Sequence, residues 1–144
     1  MRIFVPATMA DLAALQRDGL LPAATGYALT SHFRAAAGAE IADDDEVLDY
    51  DLLMAAAAAS LARQAADAHR RRVVVAVDAP GRPDPADPAS GRVLVEGPIR
   101  RRDVASVHVD DTELGPAADT IAGLDTTADL SWYAPQEIAD LLQR

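Results

Sequence analysis

The chain has 144 residues, a formal net charge of −10 at neutral pH and no cysteine. This is the length of one domain, which can bury roughly two-thirds of the surface that its unfolded chain exposes. The missing cysteine excludes disulfides, thiolate metal sites and thiol catalysis, and the missing lysine excludes Schiff-base chemistry and a P-loop. The negative charge disfavours general binding to nucleic acid or anionic membranes.

Neither a membrane span nor a secretion signal is evident. The alanine run at 55–59 lies between polar helix residues, so it is too short to cross a bilayer. The opening residues 1–6 are too short an apolar run for a signal peptide and are typical of a strand. We therefore expect a cytoplasmic protein without membrane association, with residues 1–144 folded as a single globular domain.

The first predicted elements are a short strand and a helix. Residues 2–5 alternate in the manner of a strand that ends at Pro6. Thr8 can cap the following helix, because Asp11 stands three residues on, in the position of the capping-box acid. Gly19 is a suitable end for this helix.

A second short strand is expected at 27–29, and Ser31 is positioned to cap a brief helix after it. A long alanine-rich helix follows at about 44–69, with acidic residues at its start and arginines at its end, as the helix dipole favours. Its apolar residues recur at helical spacing, which predicts one buried side. The expected buried stripe is Val47, Tyr50, Met54, Ala58 and Leu61, widened by Leu48, Leu52 and Ala55.

The middle of the chain predicts three strands. Residues 73–77 are a continuous apolar run rich in β-branched valine, typical of a central strand buried on both faces. Four prolines make 79–90 a stiff polar loop, and we expect the strand at 92–96 to pair with the first as a long-looped hairpin. A further strand is predicted at 104–109.

The C-terminal third predicts helix, strand and helix. Asp110 and Glu113 stand at capping-box spacing ahead of the first helix. Residues 129–133 form the last predicted strand, and Pro135 suits the first position of a closing helix. The positions expected to be buried on these two helices are Ala117, Ile121, Leu124, Ile138, Leu141 and Leu142.

This order mixes alternating strand–helix units with strands that follow one another directly. It predicts an α+β (mixed α/β) fold, with one mixed sheet of about five or six strands and helices packed on it. The strand order cannot be deduced from the pattern.

Three segments are distinctive as a set: Met1–Thr8, Val107–Asp111 and Trp132–Ile138. In this order they resemble a family of small uncharacterised actinobacterial proteins, known only as a domain of unknown function. The resemblance extends over nearly the whole chain and implies a single-domain intracellular protein. It implies no activity, cofactor or catalytic residue.

Candidate site residues lie at three junctions between a strand and a helix, at residues 5–8, 108–111 and 132–136. If the three strands run parallel, the junctions meet at one edge of the sheet, where open α/β sheets place ligand sites. The candidate binding residues are Thr8, His108, Asp110, Asp111, Trp132, Tyr133 and Gln136.

Two functions are compatible with this edge. The preferred one is a non-catalytic binding or protein-interaction module, because no nucleophile motif is present and neighbouring Trp132 and Tyr133 must point to opposite faces of a strand. The alternative is a small metal-assisted hydrolase or phosphoryl-handling enzyme. In that case Asp110 and Asp111 would hold a hard divalent cation and His108 would act as general base.

Simpler roles exist for the same residues, since two aspartates before a helix are typical caps and a lone histidine is more often structural than a ligand. The sequence has no paired-histidine motif and indicates no cofactor and no resident metal. The expected partner is an unidentified protein or a second copy of the chain. Arginine clusters at 70–72 and 100–102 offer a weaker option, a phosphate or RNA contact, and nucleic acid remains an improbable partner for an acidic chain.

Overall fold

The structure is a computed structural model that describes residues 1–38, 44–64, 70–111 and 130–143. Its helices are α1 (Met9–Asp18), α2 (Ser31–Ala37), α3 (Asp45–Ala62) and α4 (Ile138–Leu142). Its strands are β1 (Arg2–Ala7), β2 (Leu20–Leu21), β3 (Thr25–Tyr27), β4 (Val73–Asp78), β5 (Gly81–Pro83), β6 (Arg92–Val95), β7 (Ile99–Arg100), β8 (Val104–Val109) and β9 (Ser131–Tyr133).

Seven of the described strands form one sheet in the order β5-β6-β3-β1-β4-β8-β9, and every neighbouring pair is antiparallel. Strands β2 and β7 form a separate antiparallel pair. The predicted α+β class is confirmed. The expected mixed sheet of about five or six strands is wrong in size and in direction, because strands of two or three residues carry no readable alternation.

The central position of the valine run is confirmed, but its predicted hairpin partner is wrong. Strand β4 lies between β1 and β8, with Val75 opposite Val5 on one side and Val107 on the other. Strand β6 pairs instead with β5 and β3. Strand β5 lies inside the proline-rich segment, where it forms a sheet edge, a location that tolerates proline.

Both faces of β4 are covered. Val73, Val75 and Val77 are fully buried in a cluster with side chains of α1 and α4. Val74 and Ala76 point the other way, into a cluster with Leu52, Ala56 and Ala57 of α3 and Phe4 of β1. The sheet is therefore the middle layer, with α1 and α4 on one face and α3 on the other.

The start of the chain follows the capping pattern of its sequence. Thr8 Oγ1 accepts the Asp11 N–H at 3.0 Å and an Asp11 carboxylate oxygen accepts the Thr8 N–H at 2.9 Å. Gly19 ends α1 in the left-handed conformation, with φ of 75°. The brief helix α2 is capped by Thr30 and not by Ser31, since the Thr30 hydroxyl accepts the N–H of Phe33.

Helix α3 is shorter than the predicted span of 44–69. It has 18 residues, about 27 Å at the usual rise, with Asp44 as its N-cap and Arg63 after its last residue. The predicted part at 65–69 lies outside the described residues. Alanine favours continuation of a helix, but the side chain of Gln64, directly after Arg63, bonds to the backbone of Arg71, two residues before β4.

The predicted buried stripe of α3 is confirmed at Leu48, Leu52 and Leu61 and is wrong at other positions. The two large residues at the start of that stripe, Val47 and Tyr50, are 45% and 46% exposed. Two apolar stripes run along this helix, and periodicity alone does not decide which one faces the sheet. The residues that are buried are Leu48, Leu52, Ala56, Ala57, Ser60 and Leu61.

The helix expected after Asp110, with Glu113, Ala117, Ile121 and Leu124 as its cap and buried positions, lies outside the described residues from 112 onward. The closing helix is confirmed as α4, in which Ile138 and Leu141 are buried. Within the described ranges, none of the helices is both long and apolar enough to span a bilayer.

Candidate functional site

Two of the three predicted junctions meet at one edge of the sheet. Strands β1 and β8 run in the same direction because each is antiparallel to β4 between them. Val73 at the start of β4 lies opposite Ala7 on one side and Val109 on the other. We call this edge the rim; it consists of Thr8, Arg71, Arg72, Asp110, Asp111 and Ser131.

The third junction leaves the rim. Strand β9 is antiparallel to β8, so it begins at the rim with Ser131 opposite Val109 and runs away from it, with Tyr133 opposite Val107. Gln136 follows in the turn after the far end of β9 and is exposed. The premise of three parallel strands was wrong, and Gln136 therefore does not join the other candidates.

Asp110 is held by Arg72 in a buried ion pair. The guanidinium donates through Nη2 to Asp110 Oδ1 at 2.7 Å and through Nε to Oδ2 at 3.0 Å. The Arg72 backbone N–H also donates to Oδ2 at 2.9 Å. The side chains are 1% and 7% exposed, so Arg72 engages both carboxylate oxygens away from solvent. Asp110 thus fastens the end of β8 to the start of β4.

Asp111 joins β8 to β9. Its Oδ1 accepts the Ser131 hydroxyl at 2.5 Å and lies 3.5 Å from the Tyr133 hydroxyl. Its backbone oxygen accepts a bond from Arg71 at 3.4 Å. Because Asp111 itself is exposed, its carboxylate remains in contact with solvent at the surface of the rim.

Ser60 of α3 and Gln64, two residues after that helix, complete the rim, and sequence reasoning missed both. The buried Ser60 hydroxyl donates to the carbonyl of Ala7 at 2.6 Å and accepts the N–H of Val73 at 2.9 Å. Gln64 donates to the Arg71 carbonyl at 2.6 Å and accepts its N–H at 3.2 Å. The available signal was Ser60 itself, a polar residue directly after a run of five alanines.

The arginine clusters differ from each other. In the first, Arg70 and Arg72 are buried, and the cluster precedes β4 instead of ending α3, whose last residue is Ala62. In the second, Arg101 donates to the carbonyls of Leu15 and Gln16 at the end of α1, at 3.1 and 2.6 Å. Arginines are suited to this position because helix ends present free carbonyls.

Two other candidates share the sheet face on which α3 packs. His108 lies directly opposite Val74 of β4, whose side chain is in the α3 cluster, and directly opposite Trp132 of β9. Side chains of opposed residues point to the same face. We call the side chains of Ser106, His108 and Trp132 the Trp132 face.

The Trp132 face exposes a large aromatic side chain to solvent, whereas the Arg72–Asp110 pair of the rim is buried. Trp132 is 61% exposed, whereas its neighbour Tyr133 is buried on the opposite face, as strand alternation predicts. His108 is half-buried, and its Nε2 lies 3.0 Å from the Ser106 hydroxyl. Burial lowers the pKa of His108, and the charge of Arg2 lowers it further, so the ring is neutral at neutral pH.

A family described as "Family of unknown function (DUF6912)" matches residues 1–142. The chain belongs to this DUF6912 family. No curated protein and no solved structure matches it. The match confirms the resemblance carried by the three sequence segments, whereas the actinobacterial origin stays a prediction.

For this DUF6912 chain, the predicted cation site depends on residues that have other partners. Asp110 gives both oxygens to Arg72, and His108 contacts Ser106. In the ranges described, no three His, Asp or Glu side chains form a group that could hold a metal ion. The Ser106–His108 pair has no carboxylate bonded to the histidine in those same ranges, so it lacks the third member that orients a catalytic base.

Proposed function

We propose that this chain is a non-catalytic protein-interaction module and that its contact surface is the Trp132 face. The observation that carries the proposal is the exposure of Trp132, the single tryptophan of the chain, at 61%. Tryptophan is enriched among the residues that dominate binding energy at interfaces, because its large rigid ring loses little entropy on binding.

The position of Trp132 also favours contact with a partner. Strand β9 stands at one end of the described strand order, next to β8. A partner can therefore approach Trp132 from the strand edge as well as from the sheet face. His108 beside it presents a neutral ring, which costs less to desolvate in an interface than a charged one.

The alternative, a metal-assisted hydrolase or phosphoryl-handling enzyme, has weaker support. Of its three residues, Asp110 is buried against Arg72, which leaves Asp111 and His108 to act. A hard cation requires six or more oxygen ligands, supplied by protein or water. Millimolar magnesium or manganese would raise the melting temperature of an enzyme of this kind, and we expect no such rise.

The test is co-purification of the partner with the tagged protein. We expect the partner in the cytoplasm of the source cells, so the tagged protein is isolated from there. Trp132→Ala is compared with Leu20→Ala, which removes another large exposed apolar side chain, from β2. We expect the affinity for the partner, and with it co-purification, to fall by about thirtyfold or more for Trp132→Ala, since losing a hot-spot tryptophan costs about 2 kcal/mol or more, and to persist for Leu20→Ala.

Because the chain has one tryptophan, the indole emission of the unmodified protein is a second readout. Burial of Trp132 by the purified partner shifts that emission to shorter wavelength. Equal recovery of the partner by wild type and by folded Trp132→Ala, with no spectral shift, contradicts the proposal.

A further inference from the structure

Helix α3 presents a second apolar surface to solvent. Val47 and Tyr50, three residues apart, lie on the same side of the helix and are 45% and 46% exposed. Met54, one turn farther on, is half-buried and continues the stripe. We call the surface formed by the solvent-facing side chains of residues 44–54 the α3 outer face.

Carboxylates surround this apolar stripe. Five acidic residues occupy the eight positions from Asp44 to Asp51, and four of them are exposed. Asp45 forms an ion pair with Arg34 of the preceding helix α2, at 2.7 Å. The acidic residues are Asp44, Asp45, Glu46, Asp49 and Asp51.

One of these carboxylates reports the crowding directly. Partial burial raises the pKa of Asp49, and the neighbouring charge of Asp45 raises it further, against the opposing charges of Arg2 and Arg34. The negative form of Asp49 is thus disfavoured where it stands. A cation brought to this surface would relieve the repulsion.

We propose that the α3 outer face docks a cationic amphipathic segment of a partner protein. An apolar stripe flanked by carboxylates is complementary to a helix with apolar residues on one side and arginine or lysine beside them. A second copy of the chain fits poorly, since each copy carries a net charge of −10 and an isologous contact would set acidic residues against each other. This inference goes beyond the proposed Trp132 contact and does not depend on it.

The probe is a fluorescein-labelled peptide of about 16 residues, built from lysine and leucine with the leucines on one helical face. Binding to the full chain is measured by fluorescence anisotropy at about 150 mM salt, where long-range attraction is screened. A scrambled peptide of the same composition is measured beside it. We expect the amphipathic peptide to bind at least about tenfold more tightly than the scrambled one.

Variants locate the peptide on the chain. Val47→Ser/Tyr50→Ser removes the apolar stripe and should weaken binding about tenfold. Glu46→Gln/Asp51→Asn changes the charge by two units on the outer face and should weaken it about fivefold. The matched control Glu96→Gln/Asp140→Asn makes the same charge change at exposed positions of the β6–β7 turn and α4, and should weaken it less than about twofold.

Three binding results overturn the inference: the scrambled peptide binds as tightly as the amphipathic one, the two charge variants weaken binding equally, or folded Val47→Ser/Tyr50→Ser binds the peptide as tightly as wild type. A fourth is a wild-type dimer that becomes monomeric in Val47→Ser/Tyr50→Ser. Circular dichroism confirms that each variant keeps its helices, and the charge pairs remain informative if the apolar variant unfolds. Trp132→Ala should leave peptide binding unchanged, so failure of the Trp132 proposal is distinguishable from failure of this one.

Discussion

The rim and the Trp132 face are neighbours that share strands β8 and β9, and they differ in how their polar groups are used. At the rim, the Asp110 carboxylate, the Arg72 guanidinium and the Ser60 hydroxyl are buried and engaged by protein atoms. On the Trp132 face, a large indole is left in solvent beside a half-buried histidine. The comparison teaches that charge in a sequence motif is weak evidence for a site when register supplies a buried counter-ion. A large aromatic side chain that is left exposed to water is stronger evidence for a binding site.

The largest effect is expected from removing the buried carboxylate. Asp110→Ala removes the carboxylate that compensates the buried Arg72 charge, and we expect the free energy of unfolding to fall by about 3 to 5 kcal/mol. Urea denaturation measures the loss. Asp140→Ala on the exposed side of α4 is the control and should change stability by less than about 0.5 kcal/mol. A loss below 1 kcal/mol for Asp110→Ala would contradict the structural role of the rim.

The next effect concerns the serine that joins α3 to the sheet. Ser60→Ala leaves the carbonyl of Ala7 and the N–H of Val73 without this partner, and we expect it to cost about 2 kcal/mol. Ala62→Ser, at an exposed position of the same helix, should cost less than about 0.5 kcal/mol. If the two variants unfold at the same urea concentration, the hydroxyl contributes nothing measurable.

A smaller effect depends on pH. Because burial lowers the pKa of His108 below its ordinary value of 6.5, the unfolded chain binds the proton more readily than the folded one. Stability should therefore be unaffected well above pH 6.5, fall as the pH drops through 6.5, and level off below the pKa of the folded state. Unfolding of His108→Gln from pH 5 to 8 should lack this component. His32→Gln, at an exposed position, should retain it.

The smallest effect on stability is expected where the effect on binding is largest. Trp132→Ala removes a mostly exposed side chain that stands opposite His108 in the sheet, so the unfolding free energy should change by less than about 1 kcal/mol. A larger loss would mean that the indole belongs to the packing of the fold, and the contrast between the two regions would then disappear.

Local features of the fold could be predicted from the sequence. The Thr8–Asp11 capping box and the end of α1 at Gly19 depend only on neighbours along the chain. The apolar, valine-rich composition of residues 73–77 is enough to predict that this strand is buried. What could not be predicted is strand direction. It depends on how each strand pairs with its neighbour, and β9 runs antiparallel to β8. The shared edge was therefore expected for three junctions and found for two.

The candidate site shows the same limit. Asp110 before a segment of helical pattern reads as a cap, and only the register of β4 against β8 brings Arg72 to it. In α3, the stripes beginning at Val47 and at Leu48 have equal periodicity, and the close approach permitted by Ala56 and Ala57 decides between them. The opposite orientations of Trp132 and Tyr133 needed no register, since alternation alone requires them.

Ser60 bonds to Ala7 at the end of β1 and to Val73 at the start of β4, and Gln64 bonds to Arg71 just before β4. These bonds tie the end of α3 to two neighbouring strands. Those strands cannot separate at that end without also releasing the last turn of α3. The amides there should consequently lose their protection against deuterium in a single cooperative opening, at a common free energy, while the two-residue strands β2 and β7 open independently.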